Sequence, residues 1–355
     1  MQTLYVVSQD KSAGKSALCA GLGRHFQANG LTIGYMKPVS TQVRHVAGHL
    51  VDEDAELLRR LFHLDDDLDE MAPILLEANA IQEVLRGFDQ AHSAKLEEAF
   101  EALSDDKDIM LMESGGDLAE GSLIGLPPKE IAERTGAKTL LVAKYESDLV
   151  VDCVLAAKER LGDTMLGCVI NMVPSRRMSF VQEVLVPFLT KRDVPVFGVF
   201  RHEPMLLAVS VQELADTLGG EVLCAQACVD ELVEDVMIGA MSVESALRFF
   251  RRKTNKAVIT GGDRPDIQLA ALGTSTECLI LTGNLHPSPL IMERANELGV
   301  PIVLVRQDTL TAMRIVERFF GRSRFHQRQK FSLFEEIMEK QFDFEALYNS
   351  LNLET

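Results

Sequence analysis

The sequence predicts an α/β fold: a parallel sheet with helices on both faces, followed by a smaller α/β unit. Three observations carry this. Over the first 200 residues short, near-continuous apolar runs alternate with helix-length segments, the pattern of strands buried on both sides. A shorter cycle of the same kind follows at 256–305. The 355 residues also exceed what one ordinary core organises, so two domains are expected.

In chain order the runs are "TLYVV" (3–7), "TIGYM" (32–36), "DIMLM" (108–112), "KTLLVA" (138–143), "MLGCVI" (165–170) and "VPVFGVF" (194–200). The second cycle is "KAVIT" (256–260), "ECLILT" (277–282) and "PIVLV" (301–305), each followed by a polar turn and a helical stretch. The join is placed near 205–222, around "SVQELADTLGG", giving domains at 1–210 and 211–325. The last part, 326–355, is expected to be helical. Phe331, Phe334, Ile337 and Met338 share one helical face, which predicts a docking helix or dimer arm rather than a free tail. The basic run "GRSRFHQRQK" (321–330) before it reads as a solvated connector, with anion binding as the alternative.

Composition narrows the function classes. Hydrophobic residues make up 46% of the chain, a globular proportion. No apolar run reaches the length of a membrane span, and "MQTLYVVS" goes straight into a strand without a signal region. A cytoplasmic protein without a membrane partner is expected. Thirty-six basic against 53 acidic residues give a net charge of −17, which repels phosphate backbones and argues against nucleic acid. A small nucleotide is compatible, because a local loop and Mg²⁺ override the global field. The six cysteines form no C-x-x-C pair; Cys224 and Cys228, four apart, read as free thiols sharing a helical face.

In such sheets ligands bind at the carboxyl ends of the strands, and chemistry is sought there. After the first run comes "SQDKSAGKS", ending in Gly14-Lys15-Ser16, the tail of a Walker A motif. The pattern G-x-x-x-x-G-K-[ST] would put its first glycine at position 9, which is Gln9. A strand, a loop and Gly-Lys-Ser opening a helix present backbone N–H groups and a helix dipole to an anion. Lys15 can reach β- and γ-phosphates, and the Ser16 hydroxyl can ligate Mg²⁺. The second strand ends in "MKPVST", putting Lys37, Ser40 and Thr41 at the same edge; a solvated strand end is the alternative for Lys37. Asp52 and Asp54 open a helix, where caps are common. The third strand ends at Glu113 before Gly115-Gly116, like a Walker B carboxylate able to hold Mg²⁺ or a water. "NMVPSR" after the fifth strand offers Asn171, whose amide could read an adenine edge. His45 and His49 mimic zinc spacing but lack the glutamate of H-E-x-x-H and a third ligand. With Arg44 they are expected to line a mobile polar loop.

Together these residues resemble the dethiobiotin synthetase family of P-loop NTPases. That family has a nine-residue loop ending in G-K-T, a "G-Y-K-P-V" strand end, a metal-binding Asp, an "E-G-A-G-G" turn and an Asn in "A-N". The matching stretches here are "SQDKSAGKS", "GYMKPV", Asp54, "ESGG" and Asn171. The family's first loop glycine falls on Ser8, and "ESGG" is one residue short of the turn. Lys11 lies four residues before Lys15, one short of the extra lysine of the deviant Walker A family, and takes no role.

The resemblance implies that ATP is held by Ser8, Ala13, Gly14, Lys15, Ser16, Ala17 and Asn171. It implies Mg²⁺ on Ser16, Asp54 and Glu113, and catalytic roles for Lys15, Lys37 and Glu113, with Lys37 facing a second substrate. "AVITGGDRPDIQLAAL" and "CLILTGN" resemble the DRTGG domain, so the whole is similar to the N-terminal accessory part of long phosphotransacetylases. Acetyl transfer is then expected to be absent. In the second domain "TGGDR" (260–264), "TGN" (282–284) and "RQDT" (306–309) should gather at one edge as an effector pocket, or be ordinary turns with Asp263–Arg264 as an ion pair.

The leading expectation is a Mg-ATP-binding regulatory or sensor protein, homodimeric or larger. The rival is an ATP-dependent ligase phosphorylating a carboxylate or carbamate. A third class is a structural subunit that regulates a separate acyltransferase.

Overall fold

The computed structural model describes residues 1–46, 49–87, 91–320 and 328–353. They divide into two compact units, one running from Met1 to His202 and resuming with the C-terminal helices, the other beginning at Glu203.

The first unit is built on six parallel strands: β1 (Gln2–Ser8), β2 (Ile33–Met36), β3 (Ile109–Glu113), β4 (Lys138–Lys144), β5 (Met165–Val173) and β6 (Val196–Arg201). Their order is β6-β5-β4-β1-β3-β2. Leu4, Tyr5, Val6 and Val7 are all buried, because this central strand is covered on both faces. Register aligns the functional ends: Val6 pairs with Glu113, and Lys144 with Asn171.

Helix α1 (Lys15–Ala28) follows the first loop and packs against α2 (Glu53–Phe62). They approach closely because Gly23 has no Cβ, which would collide with the Phe62 ring. Asp52 caps α2, its carboxylate accepting from Ala55 N at 2.8 Å. Arg44, His45 and His49 do not line a loop. Val43–Val46 and His49–Asp52 pair as an antiparallel ribbon, and Arg44 reaches Glu56 at 2.6 Å. A β-branched strand preceding a cap explains the ordered ribbon.

Helices α3 (Arg328–Gln341) and α4 (Phe344–Leu351) complete this unit. Phe334 and Met338 are buried. A Cβ on Gly21 would lie 3.1 Å from both of them, so α3 rests on the glycine face of α1. Phe334 also meets the Phe200 ring edge-on. The docking helix is therefore present. The basic run before it lies mostly outside the described residues.

The second unit has strands β7 (Glu221–Val222), β8 (Asp235–Ile238), β9 (Lys256–Gly261), β10 (Thr276–Thr282) and β11 (Ile302–Leu304), in the order β7-β11-β10-β9-β8. Only β7 runs antiparallel to its neighbour. Alternation along β9 and β10 feeds two cores: Ala257, Ile259, Cys278 and Ile280 face one layer, while Val258, Leu279 and Leu281 face the other. The stretch "SVQELADTLGG" holds the helix Val211–Leu218, started by a capping box between Ser210 and Glu213. Cys224 is buried and Cys228 half-buried in a short 3₁₀ segment rather than on one α-helical face. Among the other thiols Cys153 is exposed.

Candidate nucleotide site

The loop after β1 turns into α1 through Gly14, whose φ of 98° no side-chain-bearing residue adopts cheaply. Space demands glycine too: a Cβ there would sit 2.5 Å from Asn171 Nδ2. Asn171 Nδ2 donates to the Ala13 carbonyl at 2.8 Å, and its Oδ1 accepts from Met172 N at 2.8 Å. This amide, expected to read an adenine edge, here joins the first loop to β5. Met172 beside it holds a φ of 62°, in the left-handed region.

Lys15 is buried, and its ammonium donates to Ser8 Oγ at 2.9 Å and to the Gly116 carbonyl at 3.0 Å. Ser8 Oγ in turn donates to the Asp10 carbonyl at 2.6 Å. Burial pulls the Lys15 ammonium below the usual lysine range, and the Glu113 charge opposes it. Ser8 thus supplies a hydroxyl where a glycine would leave bare backbone. Ala13 is buried under the loop, with Ser16 and Ala17 half-buried behind Lys15.

Ser16 Oγ donates to Glu113 Oε1 at 2.6 Å, and Tyr35 OH donates to Glu113 Oε2 at 3.0 Å. Burial pushes the Glu113 carboxyl up to about 7, with the Asp54 charge adding to it and Lys37 and Lys15 opposing. Tyr35 was missed from sequence. The period of two along "YMK" puts it on the same face as Lys37, which was the available signal.

Lys37 is no solvated strand end. It is fully buried, between Asp54 at 2.6 Å and Asp52 at 3.0 Å. Burial works against its charge, but the Asp54 and Asp52 carboxylates hold the ammonium well above the lysine range. Asp52 also accepts from Ser40 Oγ at 2.5 Å. Thr41 Oγ1 donates to Glu120 Oε1 at 2.9 Å, an acid with no sequence signal.

Among the described residues no group of three or more His, Cys, Asp or Glu could hold a metal ion. The Ser16 hydroxyl and the Glu113 and Asp54 carboxylates are a different case. They are hard oxygen donors of the kind that hold Mg²⁺ alongside phosphate and water. Burial, with the Asp54 charge added to it, disfavours the Glu113 carboxylate, and a divalent cation bound beside it would favour the charged form.

At the second unit's strand ends the predicted turns do gather, and their polar atoms mostly satisfy one another. The Thr282 and Thr309 hydroxyls lie 2.9 Å apart, and Gln268 Nε2 donates to the Gly261 and Gly262 carbonyls at 3.0 and 3.1 Å. Arg264 pairs with Asp266 at 3.0 Å rather than with Asp263.

Residues 2–210 match the family described as AAA domain, and residues 213–319 match the DRTGG domain. The phosphate acetyltransferase of Nitratidesulfovibrio vulgaris is 22% identical over 372 residues, covering 98% of this chain and 51% of that protein. The ATP-dependent dethiobiotin synthetase of Thermodesulfovibrio yellowstonii is 26% identical over 237 residues, covering 60% of this chain and 92% of that protein. Among solved structures, cobyrinic acid a,c-diamide synthase from Mycobacterium smegmatis, with bound ADP and magnesium, is 16% identical. It covers 56% of this chain and 84% of that one, with a TM-score of 0.37. The CBS and DRTGG domains of Clostridium perfringens pyrophosphatase, complexed with diadenosine tetraphosphate, are 21% identical. They cover 42% of this chain and 71% of that one, with a TM-score of 0.29. The chain spans about half the length of the phosphate acetyltransferases it matches. No helix among the described residues is long and apolar enough to cross a membrane.

Proposed function

Since the chain belongs to the AAA domain family, as a P-loop, dethiobiotin-synthetase-like domain joined to a DRTGG domain, we propose that it binds ATP with Mg²⁺ as a regulatory or sensor module. The 355 residues are related to the accessory region of phosphate acetyltransferases and hold no acetyltransferase domain. In this reading Ser8 and Ala13 to Ala17 line the phosphates, Lys15 neutralises them, and Ser16, Glu113 and Asp54 hold the metal. The metal supplies charge neutralisation between the phosphate oxygens. The proposed domains are 1–210, 211–325 and 326–355, acting in the cytoplasm as a homodimer or larger assembly with a small-molecule effector at the DRTGG domain.

One observation supports the reading: the buried Lys15 and the Ser16–Glu113 pair come together at the N-terminus of α1, where the helix dipole and free amides favour an anion. Calorimetric titration with ATP and Mg²⁺ tests it. Wild type gives saturable heat. Lys15→Ala weakens binding about tenfold or more, on the order of 1.5–3 kcal/mol for a lost charged hydrogen bond. No heat from wild type, or equal heat from the variant, overturns it.

The fully buried Lys37 between two carboxylates favours a second reading, in which the same site transfers a phosphoryl group to a carboxylate or carbamate. It predicts ADP release that depends on the added carboxylate; release at one rate with and without it excludes the ligase.

A further inference from the structure

We propose that Glu120 sets the preference of this site between nucleoside di- and triphosphates, penalising the terminal phosphate. This rests on the nucleotide-binding reading above and adds to it a residue outside every motif. Glu120 follows β3 on the turn beginning at Ser114, and its carboxylate is folded back over the two glycines of that turn. A Cβ on Gly115 would lie 2.7 Å from Glu120 Oε2, and one on Gly116 3.0 Å from Oε1. Only glycine lets the acid lie so close. The carbonyl of Gly116 is the group that accepts from the Lys15 ammonium at 3.0 Å. The acid therefore sits beside the anchor from which the phosphate-binding lysine must turn.

The carboxylate is also tied across the mouth of the site. Thr41 Oγ1 donates to it at 2.9 Å, and Gln42 Nε2 reaches the Gly115 carbonyl at 3.4 Å. Glu120 thus joins the turn after β3 to the segment after Lys37. Burial raises its carboxyl above the usual range, which the Thr41 bond and the Lys37 and Lys15 charges oppose.

A diphosphate ends on the amides of the first loop. A triphosphate brings further negative charge toward Lys15, and so toward the turn where the carboxylate lies. Like charges brought near one another repel, and a half-buried carboxylate such as Glu120 is screened less than an exposed one. The terminal phosphate is admitted only at a penalty, and its arrival pushes Glu120 away from Thr41.

The test is calorimetric titration of the full chain with ADP and with ATP, both with Mg²⁺. Wild type, Glu120→Gln and Thr41→Val are compared. Glu120→Gln keeps an acceptor for Thr41 and removes the charge. It is expected to tighten ATP about tenfold, a difference of about 1.4 kcal/mol, while ADP stays within about twofold. Thr41→Val frees the acid without neutralising it and should tighten ATP by a smaller factor, again sparing ADP. Unchanged ADP binding also reports that each variant is folded. Equal shifts for both nucleotides, or no shift for either, overturn the role of Glu120 and leave nucleotide binding standing. Failure of wild type to bind either nucleotide overturns both proposals together.

Discussion

The two sheets end in turns of the same kind, yet what they bury there differs. The edge of the first sheet buries Lys15, Lys37, Asp52 and Glu113. The edge of the second buries Thr260, Thr282 and, on the adjoining helix, Gln268, and leaves Arg264 and Asp266 partly exposed. Hydroxyls and amides can be satisfied by neighbouring carbonyls at modest cost. Charges taken out of water cost several kcal/mol each, and their mutual attraction seldom returns the whole of it. An edge that keeps four of them is the candidate for a charged ligand, whereas an edge of neutral groups is compatible with turn formation alone.

The comparison can be broken most directly at Lys37. Lys37→Met leaves Asp52 and Asp54 without their cation, and a loss of about 3–5 kcal/mol is expected from urea unfolding. A loss below about 1 kcal/mol would mean that the charges at this edge are no more demanding than those on the surface.

Glu113 sharpens the same contrast through pH. A carboxyl raised from 4.5 to about 7 binds its proton more tightly in the folded chain than in the unfolded one. Without metal, stability should therefore be greatest below pH 4.5 as far as this group is concerned and fall as pH rises from 4.5 to about 7. The expected slope amounts to roughly 2–3 kcal/mol over that window, and Glu113→Gln should flatten it. Thermal unfolding in EDTA across the window measures this, and an identical slope in the variant would refute it.

The smallest effect is expected at the second edge. Thr282→Val removes the contact with Thr309 and should cost about 1 kcal/mol by urea unfolding, with ATP affinity unchanged.

Much of the architecture was legible because buried strands read as apolar runs; "TLYVV" and "ECLILT" both fall inside observed strands. The strand Asp235–Ile238 was not, since its apolar run is only the three residues Val236 to Ile238 after an acid, and all four residues are only half-buried. Glu221–Val222 is too short to leave any period. In the site, Lys15, Ser16, Lys37 and Glu113 stood out by their places after strands, and the structure brings them together. Glu120 did not, because its position depends on how a glycine turn folds back, which local residue order does not encode. Asn171 was visible from its place after a strand, whereas its hydrogen bond to the Ala13 carbonyl of the first loop was not.

The first unit is discontinuous: its last helices are translated only after the whole second unit. Until Phe334 and Met338 emerge from the ribosome, the glycine face of α1 and the Phe200 ring have nothing to cover them. The newborn chain must therefore hold an unfinished first unit, with apolar surface open to chaperones and to aggregation, for as long as synthesis of the intervening domain takes.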